Sequence, residues 1–73
     1  MKRYEFTDSY DNNIRVQEPS SPMDGKKMWL FLDGKRFENN EFKLVSLASC
    51  LTINQAKILI SSLQDMIETL ERK

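Results

Sequence analysis

The chain has no histidine, one cysteine, two glycines and two prolines among 73 residues, and its 11 basic and 11 acidic side chains cancel. Without histidine, the most adaptable general acid or base near neutral pH is missing. A single cysteine, Cys50, excludes an intramolecular disulfide, and with no histidine there is no metal cluster of the usual Cys/His kind. A reducing, cytoplasmic setting fits this usage. Zero net charge provides no global field for nucleic acid or an anionic membrane, so any anion site must be local. No run approaches the roughly 20 apolar residues of a membrane span, and Met1 to Asp8 reaches acidic residues before any apolar stretch that a signal peptide needs.

What is present is a short apolar run, Met28-Trp29-Leu30-Phe31-Leu32. On a strand, alternate side chains point to opposite faces, so Met28, Leu30 and Leu32 oppose Trp29 and Phe31. Only one helix is evident to cover them. Thr52-Ile53-Asn54-Gln55 matches a capping box with Thr52 as N-cap. From 53 to 72 there is no Gly or Pro, and Ile53, Ala56, Leu59, Ile60, Leu63, Met66, Ile67 and Leu70 recur as one stripe. Ile58 falls nearly opposite that stripe. A lone exposed isoleucine is ordinary, and the other reading places it in a subunit contact.

Upstream, Tyr4 and Phe6 alternate with polar residues, and after Asp8 to Asn13 the alternation resumes at Ile14 and Val16, which reads as a β-hairpin. Residues 18–25 hold both prolines and one glycine, a long surface loop. Asp33-Gly34 directly after the apolar run suggests a second tight turn, with Glu38-Asn39-Asn40-Glu41 as a polar excursion and a last strand at about Leu44 to Cys50. The expected fold is α+β: a single domain over 1–73, ββββα in order, with the sheet over about 3–51 and the helix over about 53–72 packed on one face. A domain of this size buries only roughly 60% of its unfolded surface, so its stability is marginal unless association adds to it.

Candidates for catalysis are thin. Cys50 has no histidine to activate it and reads as a small buried core residue. The pairs Asp8 with Asp11 and Glu38 with Glu41 lie in turns, where carboxylates serve local backbone. The basic pairs Lys2-Arg3, Lys26-Lys27 and Lys35-Arg36 read as solvated strand ends, and the acidic end of the helix makes a poor reader of DNA. The expectation is therefore no enzyme, no cofactor and no DNA partner.

Binding has better candidates. Arg15 and Gln17 share one side of their strand, and the loop after them carries Ser20 and Ser21, whose hydroxyls can donate to phosphate or carbonyl oxygens. If Trp29 lies on the same side, Arg15, Gln17, Ser20, Ser21 and Trp29 surround a site for an anionic nucleotide. The more ordinary placement puts Trp29 and Phe31 in the core under the helix, with Arg15 merely solvated. Either way one face of the apolar run needs a cover from outside, a second copy, another protein or a flat ligand, and Phe31, Ile58 and Met66 are the candidate interface residues.

Phe6-Thr7-Asp8-Ser9-Tyr10, Ile14-Arg15-Val16-Gln17-Glu18 leading to Ser20-Ser21, Trp29-Leu30, and Leu51-Thr52-Ile53-Asn54-Gln55-Ala56 resemble small proteins of tailed bacteriophages and prophages. The chain departs from that pattern at Pro19 and by extra residues from about Lys35 to Val45. The resemblance implies a strand-rich domain closed by one C-terminal helix. It also implies a setting in which small non-enzymatic proteins blunt host defence, by sequestering a nucleotide signal or by occupying a host protein; it supplies no active residues. The resulting expectation is an oligomeric counter-defence binder of the host cytoplasm. The alternatives are an inhibitor or adaptor on a host protein and a purely structural homo-oligomer.

Overall fold

The structure is a computed structural model that describes residues 2–21 and 25–73. Strands β1 (Arg3–Thr7), β2 (Asn13–Gln17), β3 (Lys27–Glu38) and β4 (Glu41–Thr52) precede helix α1 (Ile53–Glu71). The strands form one antiparallel meander in sequence order. The α+β, ββββα arrangement expected from the sequence is the one observed. Of the expected loop over 18–25, residues 22–24 lie outside the described residues.

Each turn has a chemical cause. Between β1 and β2, the Asp8 carboxylate accepts from the Tyr10 amide at 2.8 Å, the Asn12 amide at 2.9 Å and Asn12 Nδ2 at 3.2 Å, while Asp11 takes a left-handed φ of 63°. An aspartate that bonds backbone two residues on is a turn former in its own right. Between β3 and β4, Asn39 and Asn40 have φ of 52° and 61°. Two consecutive positive φ values define the type I′ hairpin turn, and asparagine tolerates them.

The expected turn at Asp33-Gly34 is therefore corrected. Both residues lie inside β3, paired with Ser46 and Val45. Gly34 is there for space: a Cβ on it would stand 2.6 Å from Asn12 Oδ1. The last strand is correspondingly longer than expected, running from Glu41 to Thr52 instead of about Leu44 to Cys50. Since β2 pairs only with residues 29–33 of β3, the remainder of the β3–β4 hairpin projects as a two-stranded arm.

The register sorts the sheet into two faces. Tyr4, Phe6, Ile14, Val16, Met28, Leu30, Leu32, Val45, Leu47 and Leu51 share one, the aliphatic face. Arg3, Glu5, Arg15, Gln17, Trp29, Phe31, Asp33, Ala48 and Cys50 share the other. Helix α1 begins at the capping box expected at Thr52: the Thr52 amide donates to Gln55 Oε1 at 2.9 Å and the Gln55 amide to Thr52 Oγ1 at 3.2 Å. Ala56, Leu59, Ile60 and Leu63 of the helix stripe then face Val16, Met28, Leu30 and Leu51 across a cleft of about 260 Å³. The helix thus stands over the aliphatic side of the apolar run. The ordinary placement, with Trp29 and Phe31 as core under the helix, is overturned.

No side chain among the described residues is fully buried. Leu32, Val45 and Leu47 on the sheet, and Met66, Ile67 and Leu70 on the helix, are all exposed. Cys50, expected to be buried, is half-buried on the Trp29 face. The chain measures 44 × 41 × 17 Å with a radius of gyration of 15.1 Å, against about 11 Å for a compact domain of this length.

Candidate functional site

The site is assembled by pairing across β2, β3 and β4. Gln17, Trp29 and Cys50 form one cross-strand row, and Glu5, Arg15, Phe31 and Ala48 the next. Because β4 contributes only Cys50 and Ala48 beside the two aromatic rings, the rings meet small side chains on that flank. Trp29 and Phe31 stack with centroids 5.9 Å apart and planes 28° from parallel. The Arg15 guanidinium carbon lies 4.2 Å from the Phe31 centroid, within cation–π range. The result is a half-buried aromatic shelf with a cation laid along one side.

Arg15 is held without being saturated. Its Nη2 lies 3.8 Å from Asp33 Oδ2, an ion-pair distance too long for a hydrogen bond. Its Nε is shielded from solvent and has no hydrogen-bond partner among the described residues. Asp33 is itself occupied, since Ser46 Oγ donates to its carboxylate. On the other flank Glu5 accepts from Asn13 Nδ2 at 3.1 Å and from Arg3 at 3.3 Å. These bonds, with the charge of Arg3 and a smaller contribution from Arg15, hold the Glu5 carboxyl below the usual carboxylate range. Arg15 thus lies against the Phe31 ring with one long ion-pair contact, to Asp33.

Of the five expected ligand residues, the structure brings Arg15, Gln17 and Trp29 together on this face. Ser20 and Ser21 lie past the end of β2, in a separate concavity of about 540 Å³ shared with Glu18, Pro19, Gly25, Lys26, Lys27, Met28 and Ile53. The link between the two regions is Lys27, which pairs with Thr52 and shares the face of Trp29 by strand alternation. Lys27 is the exposed first residue of β3, as expected of a solvated strand end.

The expected interface residues fall in three places. Phe31 belongs to the aromatic shelf, Met66 to the exposed end of the helix stripe, and Ile58 to the helix surface, where it is exposed. Further along the Trp29 face, Phe37 and Phe42 pair at 5.1 Å on the projecting arm beside Leu44, and all three are exposed. Among the described residues no group of acidic or sulfur ligands gathers to hold a metal, and no helix is long and apolar enough to cross a membrane. No protein-family model, no curated protein and no solved structure matches the chain.

Proposed function

We propose that this chain is a non-enzymatic binding protein that captures an anionic nucleotide-type ligand on its Trp29 face and works as a homo-oligomer. The observation that carries the reading is the joint placement of Trp29, Phe31, Arg15 and Gln17 on the sheet face that the helix leaves uncovered. A flat π surface suits a base, and a guanidinium suits a phosphate. Lys27 extends the cationic edge towards the Ser20-Ser21 loop. The resemblance to tailed-phage proteins supplies the setting: counter-defence by stoichiometric sequestration of a host nucleotide signal in the host cytoplasm.

Calorimetry against a panel of cyclic and linear nucleotides tests this. Stacking on one base is worth roughly 1–3 kcal/mol, so Trp29→Ala weakens binding about 5- to 150-fold. Arg15→Ala weakens phosphate-bearing ligands more than the corresponding nucleosides. No heat from any member of the panel would sink the reading. A second reading, in which this face occupies a host protein, is favoured by one observation, the exposed Phe37, Phe42 and Leu44 on the arm. Aromatic residues are enriched where protein surfaces meet. Capture of a host protein that Phe42→Ala abolishes and Trp29→Ala does not would favour it.

A further inference from the structure

We propose that a second copy of this chain covers the aliphatic face, its helix lying over Phe6, Leu32, Val45 and Leu47 beside the first copy's helix. This deepens the oligomer part of the functional reading by naming the surface, and it is independent of any ligand. The chain exposes 6545 Å², whereas a folded monomer of this mass exposes roughly 4,700 Å². About 1,800 Å² per copy is left over, so a pair would bury about 3,600 Å², within the range of obligate dimers.

The two exposed surfaces are also complementary. What the sheet face lacks is an aliphatic helix; what the helix stripe lacks beyond Leu63 is an aliphatic sheet. One chain carries both halves, and a two-fold axis lets each copy complete the other with the same contact made twice. The helix, 19 residues long, spans about 28 Å, enough to cross a four-stranded sheet. Charge does not oppose the pairing. The net charge is zero, and the rim of this face at the arm tip carries both signs, with Lys43 Nζ 4.0 Å from Glu38. A copy is therefore a better occupant than a strongly charged partner.

Size exclusion with light scattering at tens of micromolar tests this on the wild-type chain, together with melting temperature against protein concentration. The expected result is a mass of at least twice 8.6 kDa and a melting temperature that rises with concentration. Leu47→Asp, at a position 65% exposed in one copy, shifts the mass towards the monomer. Leu44→Asp, 83% exposed on the opposite face, leaves the mass and the melting temperature unchanged. A monomeric mass with concentration-independent melting overturns the proposal, and so does an assembly that survives Leu47→Asp. Trp29→Ala leaves the mass unchanged whether or not any nucleotide binds, so failure of the ligand reading and failure of this one are separable.

Discussion

Asp8 organises the first hairpin by accepting two backbone amides and one side-chain amide, and removing such a carboxylate has a readable cost. Asp8→Ala lowers stability, as loss of other side-chain caps does, measured from denaturant midpoints at fixed protein concentration. The same hydrogen bonds, those from Asn12 and then Tyr10 first, hold its pKa below the ordinary 3.8. The native state thus binds this proton less tightly than the unfolded chain does. The associated stability is complete above the ordinary value and is lost as pH falls through the lowered one. Wild type therefore loses more stability than Asp8→Asn does as pH falls from neutral to below the ordinary carboxylate value, and equal losses contradict the assignment. Gly34 is a second such position: a Cβ would meet Asn12 Oδ1 at 2.6 Å while Asn12 is tied to Asp8. Gly34→Val destabilises by about 1–3 kcal/mol, and Asn12→Gly in the same chain recovers part of that loss in a double-mutant cycle. The turn role of Asp8 is legible in the sequence because its causes are local. Gly34 is not, because its reason is a side chain 22 positions upstream that only the β2–β3 register brings alongside.

At the scale of elements, the helix is the most legible part of the chain. Its start is written in four consecutive residues and its stripe in a regular spacing, and Thr52→Ala removes one half of the capping box at a cost of about 0.5–2 kcal/mol. Loss of helical circular dichroism on mild heating, earlier than in wild type, reports it. The sheet was readable up to the apolar run. Beyond it, two turn signals competed within eight residues, Asp33-Gly34 and Asn39-Asn40, and each alone is adequate for a hairpin. The second prevails because β4 then continues the pairing to Glu38 and places Leu47 and Leu51 on the same face as Leu32 and Met28. The early turn would have given up those pairs. One consequence is the arm beyond residue 33, which has no third strand beside it. Isolated two-stranded hairpins are marginal in water, so amides of residues 35–38 exchange with solvent faster than those of residues 29–32.

For the whole molecule, what a one-chain reading of the sequence could not supply was the choice of face. Alternation separates Trp29 and Phe31 from Met28, Leu30 and Leu32, but it does not say which set meets the helix. That depends on the side of the sheet to which the chain turns after Thr52. The structure turns it towards Leu51, and two surfaces with different chemistry follow. The aliphatic face and the helix stripe remain exposed in one copy and match each other; the opposite face carries the aromatic shelf and Arg15. The central claim is that the first is used for self-association and the second stays open for a ligand. Acrylamide quenching of the emission of Trp29, the chain's single tryptophan, tests it on the assembled protein. The account predicts that Trp29 remains accessible to quencher in the oligomer and becomes protected when a nucleotide binds. A Trp29 shielded by assembly itself would place the subunit contact on the wrong face and contradict the account.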